Sequence, residues 1–108
     1  MPNQCATVSS SIDSAIIRIE RNMDFRLYAL LRELVNTNRS KTGFRYVFDW
    51  SHTRHLHDSG VATLLQFREW AAEQNAIIEF ANLNAEVQSR FREVREFAHL
   101  VAGYATPD

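Results

Sequence analysis

The feature that most constrains this chain is an alternation between two kinds of apolar pattern. Three short runs, Ala15 to Glu20, Phe44 to Trp50 and Ala76 to Ala81, are rich in β-branched or aromatic residues and read as strands. Each is followed by a helical repeat. Leu27, Leu30, Leu31 and Leu34 recur at i, i+3, i+4 and i+7. Gly60, Leu64, Phe67 and Ala71 share one face of a second repeat, with Val61 beside them. Val87, Phe91 and Val94 recur at i, i+4 and i+7 in a third. Ala6 to Ser10 predicts a further short strand, and Phe97 to Val101 a short final helix. Strands alternating with helices predict an α/β domain, a mixed sheet of about four strands with helices packed against it. Binding surfaces in such sheets gather at the carboxyl ends of the strands. Asp24 and the segment from Ser51 to Asp58 both follow strands and are expected to meet there.

The remaining composition narrows the function. The chain has 108 residues, enough for one domain that buries about two thirds of its surface. We expect a polar segment at 1–13 that includes the first strand, a domain at 14–104 and a short tail at 105–108. A net charge of -1 argues against a broadly basic nucleic-acid binder. A single cysteine, Cys5, permits no intrachain disulfide and no cysteine-based zinc site. The longest unbroken apolar run, Leu27 to Leu31, is far short of the roughly 20 residues of a membrane span. No charged region precedes an apolar stretch at the N-terminus, so a cytoplasmic location is expected. With three glycines there is no phosphate-cradling Gly-rich loop, and Ser59 has no glycine-framed nucleophile elbow.

Several polar residues have a predicted structural place. Asp24, Asn84 and either Asp58 or Ser59 are expected to cap the three helices, because their side chains accept from the free amides of a first turn. Asn75 is placed where the second helix should stop, in the left-handed conformation that Asn tolerates. Arg68 is expected to pack its stem beside the inward face, its head escaping to solvent or finding an acid, and Asp49 to turn the chain at a strand end or to pair with an Arg such as Arg68. Phe67 is expected in the core, and Trp70 to offer aromatic surface to a partner. His52, His55, His57 and Asp58 raise a metal reading, a zinc-dependent hydrolase with an open water position. The spacing H-x2-H-x-H-D fits no metalloenzyme signature, and in an extended segment His52 points away from the other two. No metal or other cofactor is therefore expected.

The segment FDWSHTRHLHDSGVATLLQFREWAAEQNAIIEFANLNAEVQSRF, together with IIRIERNMDF, resembles the STAS domain of anti-sigma factor antagonists. That family has a strand ending in an acid or amide, a loop, and Asp-Ser-Ser-Gly-Leu/Val-Gly/Ala opening a helix. The resemblance covers roughly Ala15 to Val101. It implies a non-enzymatic regulatory protein that works by partner switching. Its expected partners are a serine kinase that is also an anti-sigma factor, and a phosphatase. The family's phosphoacceptor opens the second helix, where free amides and the helix dipole favour a phosphate. Aligned without gaps, Gly60 falls on the family glycine, Asp58 on the phosphoacceptor, and His57 on the leading acid. A rival register puts Ser59 on the phosphoacceptor. The implied contact surface is Asp24, His57, Asp58, Ser59, Gly60 and Ala62. Arg21 stands where the family has a glycine before the second-strand acid.

An aspartate at the phosphoacceptor position cannot be a Ser/Thr kinase substrate. It either imitates the phosphorylated state or only caps the helix. In the first case Asp58→Ser strengthens binding to the kinase; in the second the two forms bind alike. The same family resemblance carries an alternative, a cytoplasmic subunit of a phospholipid-transporting ABC system.

Overall fold

In the computed structural model, residues 5–102 are described, and the chain's parallel ladder is built from the three apolar runs. The strands are β1 (Ala6–Ser10), β2 (Ser14–Ile19), β3 (Arg21–Met23), β4 (Arg45–Asp49), β5 (Thr53–Leu56) and β6 (Ile77–Ala81). The helices are α1 (Tyr28–Thr37), α2 (Asp58–Glu73), α3 (Ala85–Arg92) and α4 (Ala98–Val101). The main sheet has the order β1-β2-β4-β6. β1 runs antiparallel to β2, and the other two pairings are parallel. This is the mixed four-stranded α/β sheet that the alternation predicts. Residues 1–4 and 103–108, including the tail, lie outside the described residues.

Register explains why the core is aromatic. Ile17, Phe48 and Phe80 align across three strands, beside a second row of Ala15, Tyr46 and Ile78. Alternate residues point the same way in a strand. Ala15, Ile17, Ile19, Tyr46, Phe48 and Trp50 are therefore all fully buried, while Ile16 and Ile77 on the other face stay about half exposed. Phe67 of α2 packs edge-on against Tyr46 (4.9 Å between ring centroids) and Phe48 (5.3 Å). At the other side of the sheet, Trp50 and Phe80 meet Phe91 of α3 at 5.0 and 4.7 Å. Arg45 and Glu79 form an ion pair across the exposed face, with a 2.5 Å contact.

Three local expectations change, and the alternatives open for Arg68 and Asp49 narrow to one each. The segment Ser51 to His57, read as a loop, contains strand β5, and β5 pairs in parallel with β3 as a separate two-stranded sheet. Both strands are short and polar (RNM and TRHL), so no hydrophobic alternation announces them. α3 ends at Arg92, and Val94 lies past it in the bend before a 3-10 turn at Arg95–Phe97. Arg68 is exposed and contacts Glu69 at 3.4 Å rather than Asp49. Asp49 instead accepts from the Ser51 amide and the Asn82 side chain, both at 3.0 Å. Trp70 is 8% exposed, packed edge-on against Tyr28 with Arg32 over its ring, so it offers little surface to a partner.

Two backbone positions match their residue types differently. Asn75 closes α2 at φ 57, as its type predicts. Arg21 adopts φ 56, the left-handed region in which a non-glycine side chain is strained. The bend that a glycine would make freely is thus made by arginine, and the Arg21 amide is held by the His52 carbonyl at 3.0 Å.

Candidate functional site

β2 and β4 run parallel, so the chain leaves both at the same end of the sheet. From β2 it enters β3 and a 3-10 turn at Phe25–Leu27; from β4 it enters β5 and then α2. The β3–β5 pairing ties these two exits together. Three further bonds lock them. The Thr53 hydroxyl donates to the Ile19 carbonyl at 3.0 Å. The His57 amide donates to the Met23 carbonyl at 3.0 Å. The Phe25 amide donates to the Ser59 hydroxyl at 3.1 Å. Gly60 is buried against Met23, and a methyl group there would overlap the Met23 carbonyl and side chain. A glycine is therefore required by close approach, not by its φ.

The structure brings Asp24, His57, Asp58, Ser59 and Gly60 to one end of the sheet, with Ala62 exposed one turn along α2. Their local roles differ from the expected ones. His57, not Asp58 or Ser59, is the N-cap of α2, and it makes no side-chain cap bond. Asp58 and Ser59 are the first two helical residues. Ser59 is turned toward Phe25. Asp58 points to solvent, its side chain 94% exposed, and pairs with Arg90 of α3. Asn84 caps α3 as predicted, accepting from the Val87 amide at 2.9 Å, and its amide also donates to the Thr53 carbonyl at 2.8 Å.

Asp24 caps the 3-10 turn, accepting from the Arg26 amide at 3.0 Å and pairing with the Arg26 guanidinium at 2.9 Å. The bond from the guanidinium holds the Asp24 carboxyl below its ordinary range, outweighing partial burial, with the Arg26 amide adding to it. The cap is thus ionised at neutral pH. Asp24→Ala is expected to lose about 1 kcal/mol of stability at pH 7. A depressed folded value means this contribution is complete above the ordinary aspartate value near 4 and fades as pH falls through the lower folded value. Thermal melts from pH 7 down to pH 2 should show the gap between wild type and variant closing at the acid end.

The histidines do not converge as three. His52 contacts Glu20 at 2.9 Å, and that bond is the main reason the Glu20 carboxyl lies below its ordinary range. His57 contacts Asn22 at 3.1 Å. His55 and His57 lie on one side of the strand with ring centroids 6.2 Å apart. Among the described residues, no three His, Cys, Asp or Glu side chains are placed to hold a metal. A shallow cleft of about 240 Å³ lies here, lined by His55, Leu56, His57, Glu86, Val87 and Arg90. Arg90 is the participant the sequence did not reveal. It is three residues past the inward-facing Val87 and beside Phe91, so helical spacing puts it on the flank of α3, but nothing in the sequence names its acid.

This mixed four-stranded sheet with its helices matches the STAS fold of anti-sigma factor antagonists. Comparison with solved structures supports that assignment. The anti-sigma factor antagonist SpoIIAA in its unphosphorylated form superposes with a TM-score of 0.66 at 15% identity, covering 90% of this chain and 83% of that one. A serine-to-glutamate variant of RsbS from Moorella thermoacetica gives 0.67 at 17% identity, covering 94% and 85%. The chain also matches a crystal structure of Mglu (TM-score 0.58, 15% identity, 73% of this chain), spanning only 20% of that longer chain. No family model and no curated protein sequence matches the chain.

Proposed function

We propose that this chain is a non-enzymatic regulatory protein of the partner-switching kind. Its working surface is the start of α2 with its neighbours: Asp24, His57, Asp58, Ser59 and Ala62; Gly60, expected there too, is buried against Met23 and supports that surface from below. The partner is an ATP-binding, kinase-like anti-sigma factor, and a phosphatase belongs to the same circuit. Asp58 occupies the position at which such proteins are phosphorylated. The observation that carries this reading is the convergence of residues from two distant stretches, after β2 and after β4, on one exposed surface with a rigid backbone frame. A rigid frame suits recognition by a preformed surface, because little ordering entropy is lost on binding.

Ala62 provides the test. It is exposed on α2 and its side chain has no role in the core. Ala62→Arg is expected to leave the urea unfolding midpoint unchanged and to reduce capture of the partner from native lysate roughly tenfold, as a bulky charge at an interface centre does. Wild type and variant are used as paired baits and read by mass spectrometry. Capture of a kinase-like protein by wild type alone supports the proposal. Equal capture by both would remove α2 as the contact. Recovery of an ATPase with a membrane permease would replace the proposal with the transporter reading.

A further inference from the structure

Arg90 and Asp58 come from different helices, α3 and α2, and the Arg90 guanidinium contacts the Asp58 carboxylate. Arg90 is anchored from below. Its neighbours on α3, Val87 and Phe91, are in the core, and its Nε is buried, with no hydrogen-bond partner among the described residues. The side chain is 37% exposed, while that of Asp58 is 94% exposed. The charge therefore sits at the surface with its base held in the fold. Glu86, one turn earlier on α3, lines the same cleft, yet the guanidinium turns to Asp58.

We infer that Arg90 cancels the charge of Asp58, so that the opening turn of α2 presents a neutral face to its partner. This rests on the partner-switching reading above, and it argues against an imitation of the phosphorylated state by Asp58, which is not the helix cap either. A phosphoserine carries between -1.5 and -2 and three acceptor oxygens. Asp58 brings one unit of charge, and a guanidinium in contact offsets it. What a partner meets is a dipole whose field falls away within a few ångströms in salt solution. The pair thus resembles the unphosphorylated state of such a switch. Arg90 is a positioning residue here: it acts on the partner through Asp58.

The test uses the full chain with Asp58→Ser, Arg90→Gln, Arg90→Lys and the double variant Asp58→Ser with Arg90→Gln, as baits against the kinase-like protein captured above. Wild type and the double variant, each without net charge at this turn, are expected to bind within about twofold of one another. Arg90→Gln exposes the carboxylate and should weaken binding roughly tenfold, the scale of an uncompensated interfacial charge. Arg90→Lys should restore most of that loss, and so should the double variant, which a merely structural role for Arg90 would not allow. The double variant binding tenfold better than wild type would overturn the inference and leave the partner-switching reading intact. Capture of no kinase-like protein by any bait would instead remove that reading, and with it the inference. A second measurement needs no partner. Urea unfolding of wild type, Asp58→Asn, Arg90→Gln and their combination should show a coupling of about two- to fivefold in the folding equilibrium constant. Strict additivity would show that the two charges do not pair in solution and would overturn the inference by itself.

Discussion

Phe67→Ala is expected to destabilise the chain by about 3–5 kcal/mol. Phe67 is fully buried, and its ring is the contact between α2 and the aromatic rows of β4. Removing it deletes the edge-on contacts to Tyr46 and Phe48 and leaves a cavity that the sheet, fixed by pairing on both sides of β4, cannot close. A domain of this size has about 5–15 kcal/mol in total, so the variant sits near the limit of folding. Its melting temperature should fall by about 12 °C or more. Urea unfolding with an unchanged m-value would assign the loss to the native core. A loss below about 1 kcal/mol would mean that α2 can settle onto the sheet without this ring.

Gly60→Ala is the second large effect, and its sign is informative. In an unconstrained helix the change would stabilise by roughly 0.5–1 kcal/mol. Here the added methyl meets the Met23 carbonyl, a backbone atom that cannot rotate away. Overpacking of this kind costs about 1–3 kcal/mol, and a backbone obstacle puts it at the upper end, for a net loss of about 2 kcal/mol. The same carbonyl accepts from the His57 amide, so the shift that relieves the overlap also loosens the start of α2 from β3. Faster hydrogen exchange at the His57 amide should accompany the lower stability. A Gly60→Ala variant more stable than wild type would show that the two segments are not in close contact.

The long elements were legible because they repeat. Ile17, Phe48 and Phe80 sit in apolar runs, and Leu31, Phe67 and Phe91 sit on periodic faces, so the main sheet and helices α1 to α3 could be read from pattern alone. β3 and β5 could not. Three and four residues are too few to show alternation, and each becomes a strand only because the other lies beside it. The capping of α2 was misread by one residue because Asp58 and Ser59 are both good caps on type, whereas His57 holds that position through its amide bond to Met23. The left-handed turn at Arg21 was hidden for the opposite reason: its residue type argues against it. Most of the candidate surface came from the family resemblance, aligned on Gly60. Arg90 did not, since a long side chain on a helix flank can reach several acids and only tertiary placement selects Asp58.

The two-stranded sheet has a consequence for how such a surface can be altered over generations. Its links are peptide to peptide: Arg21 to His52, Asn22 to His55, Met23 to His57. The exposed side chains at His55 and Asp58 contribute little to that scaffold. Their replacement changes what the surface recognises while leaving the chain's ability to fold nearly untouched. Partner choice and stability are then separate variables, and a gene copy could acquire a new interlocutor through a handful of exposed substitutions without passing through an unfolded intermediate.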